Sequence, residues 1–201
     1  MQNTIICPHN EDVNKRNKTI VKEMNTTEWI AYSADTPCEE NREVAVEFLN
    51  TLNMSGFPMH ELRLKKGMPV MLMRNVNKKN KLCNGTRLIV DNMSGCLLYC
   101  THPITNEQII LPRFDLESDV ERAGILWRRR QFPVMPAFAI TSNKSQGQSI
   151  SGKVGIYLWQ DCFAHGQLYV AASRVTHPSR VKFFMKDNEI GTKNIVIKQV
   201  I

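Results

Sequence analysis

Two short segments carry the side chains best suited to phosphate chemistry. The first, AITSNKSQGQS at residues 139–149, follows an apolar run and concentrates hydroxyls, amides and one ammonium. At the carboxyl end of a strand, Thr141, Lys144, Ser145, Gln146 and Gln148 would offer these groups, together with backbone N–H donors, to a phosphate chain. An ordinary polar loop has the same composition. The second, FAHGQLYVAASRV at residues 163–175, places Arg174 near the end of a helix whose Leu168, Val170, Ala171 and Val175 would pack inward. An arginine there is either a favourable partner for the helix macrodipole or a planar fork able to meet a γ-phosphate across a domain interface. Periodicity does not choose between the two.

Two further patterns invite chemistry and are weaker. Residues 147–153, GQSISGK, match GxxxxGK by spacing, but Val154 stands where a P-loop needs a Ser or Thr hydroxyl for Mg²⁺. The stretch also leads into a strand rather than a helix, the reverse of the context the motif requires. No complete P-loop occurs in the 201 residues, so the chain by itself is expected not to hydrolyse ATP. Cys96, Cys100 and His102 have a loosely metal-like spacing without a fourth ligand nearby. Small core thiols explain these cysteines better, and no metal site is expected.

The elements that must position these segments can be read from texture. Thr4–Cys7 is a β-type run, and Asn10 can cap a helix opening with Glu11 and Asp12 and carrying Val13, Ile20, Val21 and Met24 on one face. Trp29–Ser33 reads as a strand, Asp35–Glu43 as an acidic surface loop and Val44–Leu52 as a helix. From Leu62 to about Phe132 short β runs alternate with turns, at Val70–Met73, Arg87–Val90, Leu97–Cys100 and Gln108–Leu111, with Asn84-Gly85 and Ser94-Gly95 as turn signals. This spacing suggests a small barrel. After Pro136 the α/β texture returns, with strands predicted at Ala137–Ile140, Val154–Leu158 and Val181–Met185 and a helix at Gly166–Ser173. The fold class that follows is α/β, an α/β domain interrupted by a small β-barrel, divided at 1–61, 62–132 and 133–201.

Charge is distributed unevenly. The net charge is +7, yet residues 1–62 hold five basic and ten acidic side chains. Between Arg63 and Arg87 lie eight basic residues and no acidic one. Such one-sidedness suits a phosphate-backbone binder, although a solvated basic face has the same composition. The six cysteines form no CxxC pair, which favours free thiols in a reducing compartment. No apolar run approaches the roughly 18 residues of a membrane span, and no signal or transit pattern is expected in residues 1–30.

The segments TSNKSQGQS and HGQLYVAASRV, in this order and about 20 residues apart, resemble helicase motifs V and VI of the PIF (petite integration frequency) helicases, including those of Helitron transposons. The opening IICPHNEDVNKRN resembles motif IV. The likeness extends through VEFLNTLNMSGFPMHEL, LKKGMPVMLMRNV, KLCNGTRLIV, RRRQFPVMPAFAITSNKSQGQS and TKNIVIKQVI, nearly the whole chain.

The resemblance implies a second RecA-like domain carrying an SH3-like insertion. It also implies the C-terminal motor part of an ATP-dependent 5′→3′ DNA helicase. Thr141, Lys144, Ser145, Gln146 and Gln148, with Asn84 of the basic stretch, would contact single-stranded DNA. Gly147, Gln167 and Tyr169 would couple that channel to the nucleotide site, with a weaker role for His165. Arg174 would be the arginine finger. ATP and Mg²⁺ would be the cofactors, held mainly by a P-loop RecA-like domain upstream or in trans, and the location would be the nucleus or, alternatively, the mitochondrion. Ser142 and Ala172 depart from the usual pattern, each smaller or more polar than the side chain expected there. The competing reading is a non-catalytic nucleic-acid-binding remnant of a truncated transposon or helicase gene.

Overall fold

The computed structural model describes residues 3–38, 44–54, 56–118, 124–186 and 191–196. The chain divides into two compact units, one formed by Met1–Glu23 with Ala137–Ile201 and the other by Met24–Pro136. Among the described residues no helix is long and apolar enough to cross a membrane.

The first unit is a parallel sheet built from β1 (Thr4–Cys7), β12 (Ala139–Thr141), β13 (Val154–Leu158) and β14 (Val181–Met185), in the order β12-β1-β13-β14. Its core is aliphatic, with Ile6, Cys7, Ile140, Val154, Ile156 and Leu158 all buried. Helix α1 (Asn10–Glu23) follows β1, with Glu11 and Asp12 in the first turn and Lys22 in the last, as the macrodipole favours. Its buried face is Asp12, Val13, Asn17 and Val21 rather than the purely apolar set expected from periodicity, so a polar residue sits in the middle of the inward stripe. Two short helices, α3 (Ser142–Ser145) and α4 (Gln167–Ala172), lie after β12 and before β14.

The second unit is largely antiparallel. Its five-stranded sheet has the order β11-β5-β6-β7-β8, from β5 (Pro69–Leu72), β6 (Arg87–Ser94), β7 (Leu97–Thr101), β8 (Gln108–Pro112) and β11 (Val134–Pro136). β6 and β7 pair Ser94 with Leu97 across a two-residue loop, and Gly95 takes a φ of +57°, the positive value such hairpins demand. A bulge at Asp91 shifts the register of the same pair. A three-stranded sheet joins β3 (Ala34–Pro37), β10 (Trp127–Gln131) and β9 (Phe114–Glu117), and a two-stranded ribbon joins β2 (Glu28–Tyr32) to β4 (Glu61–Lys65). Helix α2 (Val46–Thr51) packs beside β3.

The observed partition differs from the division expected at 61/62 and 132/133. The stretch 24–61 supplies β2, β3 and α2 to the second unit, because β2 finds its partner in β4 and β3 in β10. The acidic loop expected at Asp35–Glu43 is likewise corrected. Asp35 lies in β3 and is 4% exposed, while residues 39–43 fall outside the described set.

The reason is Arg129, fully buried on β10. Its Nε and Nη2 donate to both carboxylate oxygens of Asp35 at 2.6–3.1 Å. Nη1 and Nη2 also reach the carbonyls of Leu49 (2.9 Å), Leu52 (3.2 Å) and Pro58 (2.9 Å). The guanidinium lies 4.4 Å from the Trp127 ring centroid. Gln131, two residues on and on the same face, donates to the carbonyls of Ala31 and His60. A strand reading WRRRQ looks like surface charge, yet its alternate residues Trp127, Arg129 and Gln131 form the buried face.

The expectation of small core thiols holds for Cys100 and fails for Cys96. Cys96 is exposed in the β6–β7 turn, whereas Cys100 is buried on β7. Burial, with a smaller contribution from Asp91, pushes the Cys100 thiol up to about 12. His102 organises its own turn, its Nδ1 accepting from Ile104 and Thr105 N–H. No group of three or more His, Cys, Asp or Glu side chains able to hold a metal occurs among the described residues.

Candidate nucleic-acid and nucleotide-coupling site

The order β12-β1-β13 places the topological switch at the carboxyl ends of β1 and β13, because the connection from β12 to β13 crosses over β1. In open parallel sheets this is where ligands are held. Both chemistry-bearing segments emerge beside it.

β12 ends at Thr141, whose Oγ1 accepts from the Lys144 N–H at 3.3 Å and so caps α3. Ser142 and Ser145 are buried, and the Ser145 hydroxyl donates to the Ser142 carbonyl at 2.6 Å. The Ser145 side chain, expected from the sequence to face a ligand, is therefore spent on holding its own turn. Gln146 and Gly147 are exposed, with Gly147 at a φ of +75°, and Lys144 and Gln148 are half-buried. Burial lowers the Lys144 ammonium below its ordinary range. The Gln148 amide donates back to the Lys144 carbonyl at 2.9 Å, tightening the turn. What this turn presents outward is thus Asn143, Gln146, Gly147 and part of Lys144 and Gln148. The GxxxxGK match runs from this turn directly into β13, with Lys153 at the strand entrance.

Gly166 opens α4 with a φ of +65°. Gln167 is buried, its Oε1 accepting from Phe163 N–H at 3.0 Å and its Nε2 donating to the Pro8 carbonyl at 3.3 Å. It joins the loop before α4 to the end of β1. His9 reinforces the same junction, its Nε2 lying 3.0 Å from the Asp161 carbonyl and its ring 4.9 Å from that of Phe163. Sequence reading missed His9 and Asp161, whose only signal was position at strand ends. Tyr169 is 70% exposed and His165 is exposed, so both side chains point away from the core.

Arg174 connects the two segments. Its Nε donates to the Val170 carbonyl at 2.8 Å, its Nη1 to the Gln148 carbonyl at 3.5 Å and its Nη2 to the Ser173 hydroxyl at 2.9 Å. The Arg174 carbonyl in turn accepts from Ile150 N–H at 2.9 Å, and α3 packs on α4. The bland property anticipated for a helix-end arginine is present, since it satisfies a last-turn carbonyl. Its bond to Gln148 adds a link from the helix to the polar turn. Asn84 lies in the second unit, an exposed turn residue whose N–H donates to Asn75 Oδ1 at 2.9 Å.

Comparisons with known proteins agree on one family. Residues 47–93 match the family model described as DNA helicase Pif1, 2B domain, and lie within the second unit. The chain is 30% identical over 194 residues to the ATP-dependent DNA helicase Pif1 of Campylobacter jejuni, covering 90% of this chain and 42% of that protein. It is also 30% identical over 178 residues to human ATP-dependent DNA helicase PIF1, covering 85% of this chain and 25% of that protein. A solved structure of Bacteroides Pif1 bound to single-stranded DNA aligns at 25% identity with a TM-score of 0.66, over 90% of this chain and 40% of that one. The Pif1 helicase of Candida albicans has the same fold at 22% identity and a TM-score of 0.70, over 94% and 46%. The chain belongs to the Pif1 helicase family, and it spans less than half the length of these relatives.

Proposed function

We propose that this chain is the C-terminal motor part of an ATP-dependent 5′→3′ DNA helicase. Its first unit would be the second RecA-like domain and its second unit would carry an SH3-like insertion. The observation that carries the reading is the direct tie between the two motif segments, Arg174 to Gln148 and Ile150 to Arg174, at the carboxyl edge of a parallel sheet. Gln146, Lys144 and Gln148 would hold the DNA backbone, with Thr141 and Ser145 shaping the turn and Asn84 contacting DNA from the basic stretch. Gly147, Gln167 and Tyr169 would relay changes between DNA and nucleotide.

Arg174 would meet the γ-phosphate of ATP held with Mg²⁺ by a P-loop RecA-like domain, in cis or in trans. The geometry suits this, because the Nη2 of Arg174 donates, among the described residues, to a neighbouring serine hydroxyl that a phosphate oxygen can replace. The bound nucleotide and metal would supply the phosphoryl-transfer chemistry. A nuclear or, alternatively, mitochondrial location would go with this reading. Relatives whose names specify ATP dependence and a structure with single-stranded DNA support the reading.

The chain alone is expected to bind single-stranded DNA weakly and with little sequence preference. About four or five phosphates contacted give a slope of log K against log salt near −3, at about −0.7 per phosphate. Fluorescence anisotropy over a salt series measures it. A salt-independent affinity, or none at low salt in the folded protein, would remove the acid-free Arg63–Arg87 stretch and the motif V turn from the DNA contact. In the same preparation, phosphate release from ATP is expected to stay at background with or without DNA, because no complete P-loop is present.

A further inference from the structure

Helix α1 carries Asn17, the last residue of the motif IV segment, which has been given no role so far. Val13, Asn17 and Val21 recur at four-residue spacing on its buried face, and the middle one is an amide that is 5% exposed. Asn17 Nδ2 donates to the Ala139 carbonyl at 2.9 Å, and its Oδ1 accepts from the Ala139 N–H at 2.8 Å. Among the described residues β12 is the edge strand of its sheet, paired on one side only, with β1. In a parallel pair, alternate residues point their N–H and C=O toward the partner strand and away from it. The adjacent Phe138 carbonyl accepts from Ile5 N–H in β1. The groups of Ala139 point outward. A single side-chain amide therefore supplies both bonds that a further strand would make, and it removes the penalty of a buried, unpaired edge.

The position of this clamp matters more than its energy. Ala139 is two residues before Thr141, which caps the motif V turn. It is also two residues after Ala137, where the chain returns from the 24–136 unit, and Asn17 lies six residues before Glu23, where the chain leaves for it. One amide thus joins the outgoing and returning connections of the inserted unit at the strand from which the motif V turn springs. A valine at position 17, like Val13 and Val21 on either side, would fill the space but offer nothing to the strand edge.

We infer that Asn17 is a positioning residue for the motif V turn. By holding both backbone groups of Ala139 it fixes the strand that aims Lys144 and Gln146, and keeps that aim independent of tension on the connections to the inserted unit. The functional half of this inference rests on the proposed DNA contact by the same turn.

The test uses the whole chain with three variants, Asn17→Ala, Val13→Ala and Lys144→Ala. Amide hydrogen exchange is followed by NMR, and affinity for a single-stranded oligonucleotide is followed at low salt. In the unsubstituted chain the Ala139 amide is expected to exchange slowly although it faces away from the sheet. Fast exchange there overturns the inference without any variant. Asn17→Ala should speed exchange of the Ala139 and Lys144 amides at least about tenfold relative to Ile156 on β13, and weaken DNA binding about tenfold, on the scale of two lost buried hydrogen bonds.

Val13→Ala removes buried methyl groups on the same helix face and should lower overall stability without selective exchange at Ala139. Equal selective losses in both variants would mean a merely structural residue and overturn the inference. If Asn17→Ala does not fold, Asn17→Asp keeps the acceptor for the Ala139 N–H and loses the donor to its carbonyl, and must show the same selective exchange. Lys144→Ala tests the DNA reading separately. If it leaves affinity unchanged, the DNA contact is wrong while the exchange data still decide whether Asn17 positions the turn.

Discussion

Arg174→Ala, in a chain fused to a matching P-loop domain, is expected to lower kcat for ATP hydrolysis by at least about 10². Arginine fingers of nucleotide hydrolases contribute on the order of 10³–10⁵ in rate. The effect belongs to the transition state, where charge accumulates on the transferred phosphoryl oxygens, so nucleotide affinity should change far less than turnover. The structure adds a second consequence. Arg174 also satisfies the Val170 and Gln148 carbonyls, so the alanine variant should loosen the tie between α4 and the motif V turn. A modest loss of about 1 kcal/mol in stability is expected for lost hydrogen bonds of this kind.

Arg174→Lys separates the two roles. An ammonium at that position keeps charge near the helix end but loses the planar fork, so it should recover part of the stability and little of the turnover. Lys144→Ala should show the converse pattern, weakening DNA affinity and stimulation while sparing nucleotide affinity. The readouts are kcat, nucleotide affinity, DNA affinity and melting temperature for the three variants. Near-parental turnover in Arg174→Ala would leave this arginine as a brace between α4 and Gln148 and nothing more.

Arg129→Ala is expected to destabilise the second unit by about 3–5 kcal/mol, the range for breaking a buried ion pair by removing one partner. The cost has three sources. Asp35, equally buried, is left as an uncompensated carboxylate. The carbonyls of Leu49, Leu52 and Pro58 lose the donors that held α2 and the following loop to β10. The space beside Trp127 and Phe57 is emptied. Asp35→Ala should cost a similar amount, because the guanidinium then remains buried without its counter-charge.

Replacing both, as in Asp35→Leu with Arg129→Met, should recover only part of the loss. The charge problem disappears, but the carbonyls of Leu49, Leu52 and Pro58 do not regain the guanidinium donors, the Leu49 carbonyl keeping its bond from Leu52 N–H. Urea unfolding followed by tryptophan fluorescence measures the unsubstituted chain and the three variants. The buried pair should also be nearly insensitive to salt, unlike the exposed Arg128–Glu117 pair. An Arg129→Ala loss below about 1 kcal/mol would mean that the network is not what holds α2 and β3 to the sheet.

Much of the α/β unit was legible from local sequence. Val154–Leu158 and Val181–Met185 are strands at the predicted boundaries, and α1 begins at Asn10 with acidic residues in its first turn, because β-branched and aromatic runs and the residues that open a helix leave local marks. The places of the two polar segments, one following β12 and one running into α4, were legible too. Ser94-Gly95 and Asn84-Gly85 marked turns for the same local reason, the need for positive φ at Gly95 and Gly85.

What only the tertiary structure decided concerns polar residues whose partners are far along the chain. Arg129 and Asp35 are 94 residues apart, and either alone reads as surface charge; their burial follows only once β3 and β10 lie side by side. Asn17 and Ala139 are 122 residues apart, and nothing local reveals that an amide on a helix will stand in for a strand. Ser145 looked like a ligand contact by composition and proved to be a buried support, because a hydroxyl's role depends on which carbonyl comes within reach. The boundary at 24 rather than 62 has the same origin. Hydrophobic periodicity is a property of a segment, whereas the partner that a strand or a charge finds is a property of the fold, and sequence states the first without fixing the second.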